Sequence, residues 1–248
     1  MLVIGTVAYM VINKNIRIKD KRHMHRLIKG LQHFQEQVFP QKRELFEQLA
    51  QGQAPSTMFI TCADSRVVPD LFTQSEPGEL FVIRNAGNIV PPFGRQHGGV
   101  TATIEFAVMA LGVRHIVVCG HTDCGAMKGL LYPEKLSTMP TVASWLIQAD
   151  AARRIVLENY PTTDDGERVD ALIHENVVVQ LQNLQTHPSV ASGIARGEVK
   201  IYGWVYHINS GQVEAYDGTE QRYIRLDGTR VPHATPLARL HGCVPVAA

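Results

Sequence analysis

The sequence predicts an α/β fold: a mainly parallel sheet of four strands with one antiparallel edge strand, flanked by helices and preceded by a helical arm. Three observations carry this. The segments "TMFITC" (57–62), "GELFVIRNAG" (78–87), "RHIVVCGH" (114–121) and "VKIYGWVYHI" (199–208) are short, rich in β-branched and aromatic residues, and apolar on successive positions, as strands buried on both faces are. Helical runs separate them, so neighbouring strands can be parallel. The turn residues "NSG" at 209–211 then let "QVEAYD" return antiparallel at the sheet edge.

Taken in order, the chain opens on "MLVIGTVAYMVI", a mainly apolar run of 12 residues, short of the roughly 20 that a spanning helix needs. Lys14, Arg17, Lys19, Lys21 and Arg22 follow this run, whereas a secretory leader carries its basic residues ahead of it. The expectation is an appended or flexible segment over 1–23, with a contact to a membrane surface as the alternative. Export is not expected. From 25 to 51, Leu27, Ile28, Leu31, Phe34 and Val38, then Leu45, Phe46 and Leu49, recur at three and four residues on either side of Pro40. That spacing predicts a pair of amphipathic helices over 24–51. A third helix is expected in "VTATIEFAVMALG", closed by Gly112, and further helices over 141–158 and 168–185. One domain is expected over 24–226, followed by an irregular tail over 227–248 that carries Pro232, Pro236 and Pro245.

With 248 residues, 45% hydrophobic, the chain can bury a substantial core as one large domain. Lysine and arginine total 24 against 23 acids, so the net charge of +1 gives no electrostatic reason to expect nucleic acid or an anionic membrane as partner. A small molecule fits better. Four cysteines, Cys62, Cys119, Cys124 and Cys243, are too few and too unevenly spaced for a disulfide framework. They fit metal binding or free thiols in a reducing compartment, the cytoplasm.

In an open parallel sheet, ligands bind outside the carboxyl ends of the strands. Cys62 ends the first strand, and His121 and Cys124 follow the third. If those strands are neighbours, two thiolates and one imidazole converge, a borderline-soft set suited to Zn²⁺ with a fourth position open. Cys119, inside "IVVC", reads as a core residue. Asp64 and Arg66 stand two and four residues after Cys62, close enough for a bidentate pair that fixes the carboxylate as an acceptor. Two thiolates leave zinc little net charge with which to acidify water, so Asp64 can help by accepting a hydrogen bond from a zinc-bound hydroxyl.

These motifs, "CADSR", "GELFVIRNAGN", "GGVTATIEFAV", "VVCGHTDCGAMKG" and "GWVYHINSG", resemble those of β-class carbonic anhydrases in the same order, from about Met24 to Asp217. The resemblance implies reversible hydration of CO₂ to bicarbonate and a proton, with one Zn²⁺ per subunit on Cys62, His121 and Cys124 and with Asp64 and Arg66 orienting the nucleophile. It also implies substrate contacts from Gln53, reaching across a dimer interface, from Phe81, Ala86 and Phe106 in an apolar pocket, and from the Gly125 N–H. It further implies a homodimer or larger homo-oligomer built through the N-terminal helices. His97 is a candidate proton carrier by its side chain alone. Regulated members carry a tryptophan three residues before the first cysteine; Arg84 and Tyr206 of that regulatory site are present, but Phe59 stands in the tryptophan's place. Asp64 is therefore expected to stay with Arg66 and off the metal. The ligand pattern leaves two alternatives open, a COS or CS₂ hydrolase on the same zinc, and a non-catalytic zinc-stabilised assembly protein.

Overall fold

The computed structural model describes residues 23–94, 98–160 and 164–236. His97, Cys243, the segment 1–22 and the end of the tail lie outside the described residues. The described chain divides into two compact units, one ending at Gln53 and one beginning at Ala54.

The first unit is helical. Helix α1 (23–33) runs into a π-helical turn, Phe34–Val38, then α2 (Phe39–Gln41) and α3 (Arg43–Leu49). The expected break at Pro40 is absent. Phe39 N–H reaches back to the Phe34 carbonyl, and this widened turn accommodates the proline ring, which clashes with a regular α-helical turn. The path bends instead at Lys42, whose φ of −112° and ψ of 18° leave the helical region. Phe34, Phe39 and Phe46 pack their rings at 5.2 to 6.2 Å, while Met24, Leu27, Ile28 and Leu31 are exposed.

The second unit holds a six-stranded sheet in the order β2-β1-β3-β4-β5-β6. Its strands are β1 (Thr57–Cys62), β2 (Leu80–Asn85), β3 (His115–His121), β4 (Lys200–Tyr206), β5 (Val213–Asp217) and β6 (Arg222–Arg225). The first four are parallel, as the successive apolar runs predict. Strand β5 returns antiparallel beside β4 after a turn at Gly211, φ 72°. It is not the edge. The four-residue β6 pairs antiparallel outside it, a strand too short and too polar for periodicity to mark.

Between the strands lie α4 (Pro69–Thr73), α5 (Gly99–Met109), α6 (Gly125–Leu131), α7 (Pro140–Leu146), α8 (Asp150–Asn159), α9 (Asp165–Gln185) and α10 (Pro188–Ala195). The single helix expected over 141–158 is two, joined by a 3₁₀ turn at Ile147–Ala149. Alternate β-strand residues face two layers. Met58, Ile60, Ile116, Val118 and Ile201 pack with Ile104 and Ala107 of α5 and with Leu181 and Leu184 of α9. Phe59, Val117 and Cys119 point the other way, against Phe72, Tyr202, Trp204 and Tyr206. On that second face β4 is only half buried, so burial on both faces holds for β1 and β3 and not for β4. The long helix α9 lies so close to the sheet that a Cβ on Gly203 would stand 2.7 Å from Val177 Cγ1. Glycine there permits the close packing.

Candidate metal centre

Strands β1 and β3 are neighbours, with Thr61 opposite Cys119, which places Cys62 and His121 together at their carboxyl ends. Cys124 is the third residue after β3 and occupies the N-cap of α6. The three ligand atoms lie within 4.8 Å of one another. Cys62 Sγ is 4.0 Å from Cys124 Sγ, and all three residues are buried. His121 Nδ1 lies 2.9 Å from the Thr122 carbonyl, so this nitrogen carries the ring proton. The Nε2 therefore holds a lone pair, and it is buried without a hydrogen-bond partner. An orphaned imidazole lone pair facing two thiols is what a soft, tetrahedral divalent ion needs, and an orphaned polar atom at this depth is otherwise costly. The residues present therefore fit Zn²⁺.

The thiols are primed unequally. A bond from the Cys124 thiol, helped by the Gly87 N–H at 3.4 Å, brings the Cys62 thiol down to about 4 against the opposing effect of burial. The same contact and burial push Cys124 up, and binding a metal ion would displace whatever thiol protons remain. Cys119 is different: burial raises it to about 12, and it is the inert core residue its strand position implies.

Asp64 and Arg66 leave β1 in the loop beyond Cys62. Arg66 donates from Nε to Asp64 Oδ1 at 3.0 Å and from an Nη to Oδ2 at 2.8 Å, the bidentate fork that the spacing allowed. That guanidinium holds the Asp64 carboxyl well below the usual carboxylate range. Arg66 is itself anchored from behind. Its other Nη donates to Asp123 Oδ2 at 2.8 Å, and Lys128 donates to the second oxygen of Asp123. Asp123 sits at φ 60°, a left-handed conformation that aspartate tolerates better than most residues. Its place inside "HTDC" was the available signal for this role, since the loop between two ligands must turn sharply. Arg84 donates to the Cys62 carbonyl at 3.2 Å and to the Asp64 carbonyl at 2.6 Å, bracing the loop that carries both.

The turn after β2 closes the other side. Gly87, at φ 80°, brings its N–H to Cys62; a Cβ there would stand 2.9 Å from Met127 Cε. Ala86 accepts from Trp145 Nε1 at 2.9 Å, and Gly87 accepts from the buried Asn176 Nδ2 at 3.0 Å. Neither Trp145 nor Asn176 is near the motifs in sequence, and only folding brings them here. Gly125 starts α6 directly after Cys124, so its N–H is one of the helix's unsatisfied donors beside the centre. Phe81 and Phe106 pair with each other, centroids 6.2 Å apart. Phe81 packs on the cluster of Met58 and Ile104, whereas Cys62 and Cys124 belong to a separate cluster on the same face of the sheet. The chain's own fold thus does not gather these rings around its own cysteines. Gln53 is exposed at the end of the N-terminal unit. At the Phe59 position the ring is buried against Phe72 and Trp204, at 5.9 and 5.8 Å.

A mainly parallel α/β sheet with a Cys₂His cluster at two adjacent strand ends, backed by a carboxylate–guanidinium pair, defines a site able to hold a metal ion beside an ionised carboxylate. A family model described as "Carbonic anhydrase" matches residues 57–213. The chain is 48% identical over 224 residues to a carbonic anhydrase of Synechococcus elongatus, covering 89% of this chain and 82% of that protein. It is 50% identical over 203 residues to a carbonic anhydrase of Pseudomonas aeruginosa, covering 82% and 92%. Among solved structures, the β-carbonic anhydrase CcaA superposes with a TM-score of 0.83 at 47% identity, over 87% of this chain and 96% of that one. Tetrameric β-carbonic anhydrases of Sordaria macrospora superpose at 0.71 with 31% identity, over 78% and 96%. The chain belongs to the β-class carbonic anhydrase family. Among the described residues no helix is long and apolar enough to cross a membrane.

Proposed function

We propose that this protein hydrates CO₂ reversibly to bicarbonate and a proton, using one Zn²⁺ per chain held by Cys62, His121 and Cys124. The observation that carries the reading is the buried, unpartnered Nε2 of His121 facing two thiols. When bound, the ion supplies Lewis acidity that makes water a nucleophile near neutral pH. Asp64 accepts a hydrogen bond from the O–H of that nucleophile and so turns its lone pair toward the CO₂ carbon. Arg66, pinned by Asp123, keeps Asp64 ionised and stops it from rotating onto the metal. Water adds one oxygen and one hydrogen to CO₂, and its second proton leaves to buffer. In this reading the Gly125 N–H donates to an oxygen of the substrate, and Ala86 borders the substrate.

Gln53, Phe81 and Phe106 complete the pocket across a subunit contact in this reading, because the chain's own rings pack in a cluster separate from that of its cysteines. That makes the protein a homodimer or larger assembly, joined through helices 24–51, whose Met24, Leu27, Ile28 and Leu31 are exposed in the single chain. The tetrameric relatives from Sordaria macrospora support this. A cytoplasmic setting agrees with Cys62, Cys119 and Cys124 being free thiols. Stopped-flow CO₂ hydration on the wild type and on Cys62→Ser, with zinc counted in both, tests the reading. Activity in the wild type, lost together with the zinc in the variant, is the expected result. A zinc-loaded wild type that does not hydrate CO₂ would overturn it, and turnover of COS or CS₂ by that protein would assign the site to the other electrophile.

A further inference from the structure

We propose that His174, His207 and Glu214 form a second metal site, which takes one divalent ion of the Zn²⁺ or Co²⁺ type. Three separate elements supply it: His174 comes from α9, His207 directly follows β4, and Glu214 lies on β5. Their ligand atoms lie within 4.8 Å of one another, and all three residues are partly buried. Glu214 Oε2 is 3.0 Å from His174 Nε2 and 3.1 Å from His207 Nε2.

The tautomer of His174 is decided by its other side. His174 Nδ1 is 2.7 Å from the Asp170 carbonyl, which can only accept, so Nδ1 bears the proton. In the neutral ring Nε2 then offers a lone pair, and it faces a carboxylate oxygen that also only accepts. Two acceptors 3.0 Å apart require a positive species shared between them. A divalent ion satisfies Glu214, His174 and His207 together. A ring N–H held on a backbone carbonyl is also the usual setting of a ligating histidine, whose opposite nitrogen is then free to face an ion. The ring is held in place: Tyr223 meets it edge-on at 4.6 Å, and the Tyr223 hydroxyl donates to the His174 carbonyl at 2.9 Å. Two imidazoles and one carboxylate, with no sulfur, make a harder set than the cysteine centre and leave a coordination position open. His207 borders a cleft of about 600 Å³ whose walls include Arg66, Asp123 and Asp170, which gives the ion an approach from solvent.

The test adds Co²⁺ to the zinc-loaded full-length protein, counts both metals by elemental analysis and records the visible spectrum. A second equivalent is expected, with no thiolate-to-cobalt charge-transfer band. Glu214→Gln and His207→Asn should each weaken that equivalent by more than about 100-fold while the zinc stays bound. Circular dichroism establishes that both variants fold. Uptake of no second equivalent overturns the proposal, and NMR showing a doubly protonated His174 would then identify a proton as the shared cation. A second equivalent that both variants retain also overturns it, by placing the ion elsewhere.

Discussion

Asp64 Oδ2 stands 3.9 Å from His121 Nε2, the one ligand nitrogen left without a hydrogen bond. The carboxylate is thus beside the metal position and yet committed, through both oxygens, to Arg66. Replacing Asp64 with Asn keeps the shape and removes the acceptor charge. CO₂ hydration should fall by about 100-fold or more, within the usual worth of a positioned acid–base group, with zinc content unchanged. Loss of zinc along with the activity would instead make Asp64 a structural support of the centre.

The pH behaviour of the same pair is directional. Asp64 ordinarily titrates near 3.8, and Arg66 holds it lower. A depressed native value means that its stabilising contribution is present above the ordinary value and is lost as pH falls through the native one. Arg66→Gln should move the Asp64 titration up toward 3.8 and bring the onset of acid unfolding to higher pH. Carboxyl-carbon NMR of the folded variant would follow the first effect, and an acid titration by circular dichroism the second. Since the Arg66 side chain is 43% exposed, added salt should shrink both shifts.

The metal should remain clear of Asp64 near neutral pH. Phe59 fills its place between Phe72 and Trp204, and Arg84 is occupied by two backbone carbonyls, so nothing here favours pulling Asp64 from Arg66. X-ray absorption on the zinc protein at neutral pH should show two sulfurs, one nitrogen and one exchangeable light ligand. A carboxylate ligand from Asp64 would refute the expectation.

Trp145 holds the turn that supplies the Gly87 N–H to Cys62, through its bond to the Ala86 carbonyl. Trp145→Phe removes that donor and keeps most of the apolar ring. Zinc affinity, measured against a competing chelator, should drop about tenfold as befits an outer-shell support, and stability by about 1 kcal/mol for one net hydrogen bond. Unchanged affinity would separate the turn from the metal.

Gly203 tests the packing of α9 on the sheet. A Cβ there meets Val177 Cγ1 at 2.7 Å and Leu181 Cδ1 at 2.8 Å, in the middle of β4 with both partners buried. Gly203→Ala should cost about 1–3 kcal/mol by overpacking, read from urea unfolding. His207 lies four residues further on, so a tilt of α9 that relieves the clash should also loosen its approach to His174.

Much of this protein is decided within short stretches of sequence. Strand segments such as "TMFITC" and "RHIVVCGH" are recognisable because a buried parallel strand needs apolar residues on both faces, a local requirement. Cys62, Asp64 and Arg66 share one loop, and His121 and Cys124 another, so spacing alone gives each half of the centre. Local pattern fails where the cause is remote. The proline at 40 reads as a break until a π turn takes up its ring, and β6 is invisible because four residues, half of them exposed, carry no period. That the two halves of the centre meet depends on β1 and β3 pairing directly, a matter of strand order. Trp145 and Asn176 reach the Ala86–Gly87 turn from helices 59 and 89 residues away. His174, His207 and Glu214 come together for the same reason: hydrogen-bond geometry is set by positions in space, which only the packing of α9 against β4 and β5 determines.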